Sequence, residues 1–109
     1  MVKKVIRNNE VAVIYSPGFG AGWYTWNQLI DNSEQLLFDP VIVQILETQS
    51  DNWLDQLLEY IGEEYPDAYT GGVDDLCFDW IPVGTKFRIH EYDGNERIET
   101  ERDIPWLIA

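Results

Sequence analysis

Between Trp53 and Tyr65 the apolar residues recur at helical spacing, and this stripe constrains the fold more than any other feature. Trp53, Leu57 and Ile61 stand at i, i+4 and i+8, with Leu54, Leu58 and Tyr65 alongside. Asp55, Gln56, Glu59, Glu63 and Glu64 fall on the opposite side. A helix of this length with so wide an apolar face is stable only when that face is covered. Its start lies near Ser50 or Asp51, and Pro66 ends it, because proline has no N–H to continue the ladder. An earlier helix is predicted from Asp39-Pro40, with aspartate as N-cap and proline in the first helical position. It runs through Val41, Ile42, Ile45 and Leu46, and its β-branched content leaves packing to hold it.

The covering surface is a sheet. Residues 2–7 and 10–16 alternate with a period of two: Val11, Val13 and Tyr15 share one face, and Ala12, Ile14 and Ser16 the other. Asn8-Asn9 between them suits a tight turn, since asparagine tolerates positive φ. In the C-terminal third, Leu76, Phe78 and Trp80 alternate with Cys77 and Asp79, and Phe87 and Ile89 alternate with Lys86, Arg88 and His90. Asp93-Gly94 is a hairpin signal, and residues 96–100 form the return strand. These three strands are predicted as a β-meander, with Trp106 and Leu107 tucking the tail against the body. Residues 23–38 resist assignment. Trp26, Leu29 and Ile30 have helical spacing, but Asp31-Asn32-Ser33 interrupts it. The predicted fold is α+β: a mostly antiparallel sheet, made of an N-terminal hairpin and a C-terminal meander, with two helices packed on one face. At 109 residues the chain, 1–109, is expected to form a single domain.

Charge narrows the partner class. Seven basic residues against 20 acidic ones give a net charge of −13, and the pI is near 4.1. Such a field repels nucleic acid and anionic membranes and draws basic surfaces towards it. The apolar fraction of 45% argues against disorder. A single cysteine, Cys77, forms no internal disulfide, and neither a signal peptide nor a membrane-length apolar run is visible. The expected setting is therefore cytoplasmic.

The segment Ser16-Pro17-Gly18-Phe19-Gly20-Ala21-Gly22-Trp23-Tyr24-Thr25-Trp26 is the most unusual in the chain. Three glycines at alternate positions expose backbone N–H groups, and three aromatics follow within four positions. Two readings are open. The amides cradle an anionic group while Trp23 or Trp26 stacks on a planar ring. Alternatively, the segment is a tight turn whose aromatics fold back into the core. The glycine spacing matches neither a dinucleotide fingerprint nor a P-loop.

Elsewhere the chemistry is sparse. Asp74, Asp75 and Asp79 surround a second glycine corner, but solvated turn residues explain them better than a cation site does. His90 is alone, beside Glu91 and without a nucleophile in a recognisable frame. Cys77 has no activating neighbour in the sequence and reads as a packing residue. Arg88 and Arg97 either form a small basic patch across the hairpin or pair with Glu91, Glu96 and Glu99. No catalytic residue, metal ligand or cofactor is assigned.

Residues 16–26, Phe38-Asp39-Pro40 with Ile42-Val43, Gly71-Gly72-Val73-Asp74-Asp75-Leu76, Trp80 to Ile89 and Glu91-Tyr92-Asp93-Gly94 resemble a family of small uncharacterised bacteriophage and prophage proteins. The resemblance covers most of the chain from residue 11 on. It implies a phage setting inside a bacterial host, where small accessory proteins commonly bind host factors or counter host defence. The first functional expectation is therefore a non-catalytic binding protein that counters a host process by sequestering a small nucleotide-derived ligand. Gly18, Gly20 and Gly22 would meet its phosphates, with Phe19 in the same loop. Trp23 and Trp26 would stack on its base, and Arg88 would offset charge. The second expectation is an acidic inhibitor occupying a basic, nucleic-acid-binding site of a host protein. The third is a small virion or assembly protein that forms a homo-oligomer through exposed aromatics.

Overall fold

The computed structural model describes residues 2–103 and 108–109. Its first two strands, β1 (Ile6–Arg7) and β2 (Glu10–Tyr15), form a hairpin in which Arg7 pairs with Glu10 and Ile6 with Val11. The connecting Asn8 and Asn9 have φ of 51° and 64°. Two positive values in a two-residue loop match the twist of the flanking strands, as the asparagine pair suggests.

β2 is apolar on both faces, so both must be covered. On one face Ala12 and Ile14 join Phe78 and Trp80 against the helices α1 (Pro40–Thr48) and α2 (Trp53–Glu64). Ile42, Val43 and Leu46 come from α1, and Leu57 and Ile61 from α2. Full burial of a side chain such as Leu57 or Ile61 stabilises the fold by roughly 1.5–3 kcal/mol. On the other face Val11, Val13 and Ile81 meet Leu37 and Phe38, together with Phe87, Ile89 and Ile98 of the C-terminal hairpin.

The third strand, β3 (Cys77–Pro82), runs antiparallel to β2, from Tyr15 opposite Cys77 to Glu10 opposite Pro82. The first sheet therefore has the order β1-β2-β3. The last strands, β4 (Phe87–Tyr92) and β5 (Asn95–Thr100), form a separate two-stranded sheet. The α+β class and its antiparallel strands agree with the sequence, but the C-terminal third is not a continuous meander. β3 pairs with the N-terminal hairpin, and the connection containing Gly84, at φ 87°, turns the chain off that sheet. β2 is thus the central strand, with its backbone groups paired to β1 along one edge and to β3 along the other.

Asp39 sets up the helical layer. One carboxylate oxygen accepts from the amides of Val41 at 2.8 Å and Ile42 at 3.3 Å, satisfying two donors that the helix leaves free. The other oxygen accepts from the hydroxyls of Tyr60 at 2.8 Å and Tyr65 at 2.6 Å, which ties the start of α1 to the end of α2. α2 ends at Glu64, with Tyr65 as its C-cap directly before Pro66.

The helical spacing of Trp26, Leu29 and Ile30 does not produce a helix. Residues 23–32 form successive turns, with Leu29 exposed, and a short 3-10 helix follows at Ser33–Leu37. The expected docking of Trp106 and Leu107 lies outside the described residues. No helix among the described residues is long and apolar enough to cross a membrane.

Candidate functional site

The glycine- and aromatic-rich segment leaves β2 at Ser16 and returns across the end of the second hairpin. What organises it is Glu96, on β5, whose side chain is fully buried. One carboxylate oxygen accepts from the backbone N–H and the hydroxyl of Ser16, both at 3.1 Å. The other accepts from the N–H of Tyr24 at 2.9 Å, the N–H of Thr25 at 2.7 Å and the Thr25 hydroxyl at 2.8 Å. The Ser16 hydroxyl in turn accepts from the N–H of Trp23 at 2.9 Å, and the N–H of Glu96 donates to the Ser16 carbonyl. A carboxylate has about four acceptor sites, so five donors saturate it. The segment does cradle an anion on its amides, but the anion is the chain's own, and the amides belong to Ser16, Tyr24 and Thr25.

The glycine amides have other partners. The N–H of Gly20 donates to the Asp93 carbonyl at 2.6 Å, and that of Gly22 to the Gly94 carbonyl at 2.7 Å. The loop is thereby stitched to the β4–β5 turn, where Asp93 and Gly94 have φ of 50° and 84°. A β-carbon at Gly94 would stand 2.9 Å from the backbone of Gly20 and Ala21, so this turn requires glycine for its conformation and for its close approach. Gly18 faces the carboxylate of Asp75, whose Oδ2 would lie 2.6 Å from any β-carbon there. A phosphate seated at Gly18 would meet that negative charge.

The aromatics divide sharply. Trp23 is 1% exposed, lies in the core edge-on to Tyr65, and donates from its indole N–H to the Leu36 carbonyl at 2.9 Å. Its faces are closed to any ligand. Phe19 remains outside at 71% exposure, in an edge-to-face pair with the equally exposed Tyr92 at 6.2 Å. Trp26 and Tyr69, 44% and 43% exposed, form a second pair at 5.4 Å and an angle of 49°. Tyr69 also donates from its hydroxyl to the Gly20 carbonyl at 2.7 Å. Its backbone is fixed by buried Asn27, whose side chain accepts from the Tyr69 N–H at 2.7 Å and donates to the Tyr69 and Trp23 carbonyls. Arg88 does not join this region. It pairs with Glu99 at 3.5 Å, a residue that Arg97 also approaches, at 3.7 Å. It lies five positions along the strand from Asp93, or about 16 Å at extended spacing.

The result is an exposed aromatic platform, Phe19–Tyr92 and Trp26–Tyr69, held on a loop whose amides at Ser16 and from Gly20 to Trp26 all find acceptors within the chain. Three segments frame it: residues 16–26, 66–76 and 91–95. They contain no lysine or arginine, whereas Asp67, Asp74, Asp75, Glu91 and Asp93 are exposed on them. Sequence reasoning does not single out Tyr69, Tyr92, Asn27 or Glu96 as site residues. A signal for Glu96 exists, because two-residue alternation puts it on the same inward face as Ile98.

Cys77 is half-buried, and burial pushes its thiol up from the ordinary value, away from the reactive thiolate. Among the described residues, no group of three His, Cys, Asp or Glu side chains is placed to hold a metal ion. Comparison with protein-family models, curated proteins and solved structures finds no match to this chain.

Proposed function

We propose that this chain is a non-catalytic binding protein that occupies a basic surface of a protein partner. The observation that carries the reading is the exposed aromatic platform, set among segments whose only charges are negative. Tyrosine, tryptophan and phenylalanine are the residues most enriched at the centres of protein interfaces, and ordered ones lose little entropy on contact. A net charge of −13 supplies long-range attraction to a basic partner and raises its rate of encounter. In the phage setting that the resemblance implies, the partner is a host protein in the bacterial cytoplasm whose basic site serves nucleic acid.

Sequestration of a nucleotide-derived ligand has less support. The Gly20 and Gly22 amides are committed to the hairpin turn, Trp23 is enclosed, and Arg88 is elsewhere. The test pairs two measurements. The immobilised chain should retain a basic protein from host lysate, release it as salt is raised, and block its binding to nucleic acid. Thermal unfolding against a panel of nucleotides should show no stabilisation. A selective nucleotide-induced rise in Tm, without a salt-sensitive protein complex, would return sequestration to first place.

A further inference from the structure

We infer that the aromatic platform selects arginine over lysine, so that the basic surface it occupies is an arginine-bearing one. This rests on the reading of the chain as a binder of basic proteins and adds the side chain that is read.

A surface of carboxylates alone attracts either cation, whereas rings beside carboxylates favour one. The guanidinium is planar and weakly hydrated, stacks on aromatic faces, and forks two N–H groups onto a carboxylate. An ammonium is a compact, strongly hydrated charge that gains less from a ring. The platform offers both components. Its two aromatic pairs meet at 77° and 49°, so neither is a parallel stack, and ring faces remain uncovered by the partner ring. Carboxylates stand close to the same loops. Asp75 lies against Gly18, next to Phe19. Glu91 and Asp93 flank Tyr92, and Glu91 commits one oxygen to the Gly94 N–H at 2.8 Å.

The same molecule already shows this combination internally. The Arg7 guanidinium lies 5.4 Å from the Trp80 ring centre while both of its terminal nitrogens bond the Glu47 carboxylate. Lys4 sits over Phe38 at 4.7 Å, yet among the described residues no carboxylate pairs with it.

The experiment measures binding of the intact chain to fluorescent nona-arginine and nona-lysine peptides, by anisotropy across a salt series. The probes carry equal charge and differ only in the cationic group. The expected result is a preference for nona-arginine of about tenfold, the size of about two exposed ring–guanidinium contacts. Trp26→Ala, Phe19→Ala and Tyr92→Ala should each weaken nona-arginine binding more than nona-lysine binding, and so shrink that preference. Phe19 and Tyr92 are largely exposed, so those two variants should stay folded even if Trp26→Ala loosens its loop. Equal affinity for the two peptides overturns the arginine inference and leaves the basic-partner reading standing. An arginine preference that survives all three substitutions also overturns it, by placing selection elsewhere on the surface. Binding of neither peptide at low salt removes both readings.

Discussion

At Glu96, one side chain on the last described strand receives donors from both ends of the Ser16–Thr25 segment. Removing a buried acceptor leaves each donor with its desolvation cost, about 1–3 kcal/mol for a group that finds no water. Glu96→Ala should therefore lose about 3 kcal/mol or more, a large share of a small domain's margin. Urea unfolding would give that loss, and hydrogen exchange should show faster opening at Trp23, Tyr24 and Thr25 than at α2. The two tryptophans of residues 16–26 should separate in the same assay. Trp23→Ala opens a cavity in the core and should cost about 3–5 kcal/mol. Trp26→Ala removes one exposed aromatic pairing, worth about 1 kcal/mol. If the two losses were alike, the inside–outside division of these rings would be wrong. From the sequence alone the division was open, because glycine-flanked aromatics suit both a core turn and a stacking site. What decides it is the Trp23 indole meeting the Leu36 carbonyl, a contact no spacing rule encodes.

Elements whose cause is local were legible before the structure. The asparagine and Asp-Gly turns, the Asp39-Pro40 helix start and the stop before Pro66 each depend on a few adjacent residues, and each is found where the sequence places it. Pairing of β3 with β2 joins residues more than 60 positions apart, and nothing local distinguishes it from a meander. The α1–α2 junction illustrates a further non-local device. Burial, and after it the hydrogen bond to Asp39, pushes the Tyr65 hydroxyl well above its ordinary value, and Tyr60 is raised by the same causes in the same order. The sign follows directly. The folded state favours the protonated phenol, so this contribution is complete below the unfolded tyrosine pKa of about 10 and is lost as pH rises from there through the folded value. Tm should hold through neutral pH and fall in strong alkali. Tyr65→Phe should lower Tm at neutral pH yet flatten the alkaline decline; an unchanged slope would show that Tyr65 does not govern it.

For the molecule as a whole, a charge of −13 on 109 residues is a cost to compactness as well as an attraction to positive charge. Raising sodium chloride from about 0.01 M to about 0.15 M shortens the screening length from about 30 Å to about 8 Å. Repulsion across the surface should weaken accordingly, and scanning calorimetry should record a Tm higher by a few degrees. A falling Tm would mean that attractive pairs such as Arg7–Glu47 outweigh the repulsion. The Glu96 clamp has a consequence for timing as well. Its contacts close a span of 80 residues at Ser16, and contacts of such range form late, once local helices and hairpins exist. During synthesis, which proceeds from the N-terminus, the Ser16–Thr25 segment emerges early and must wait for β5 before its amides find their acceptor. Its glycines and aromatic rings stay loose through that interval. A ribosome that stalls before residue 96 therefore yields helices and a first hairpin but an open glycine–aromatic segment, so the proposed binding face is completed only when β5 is made.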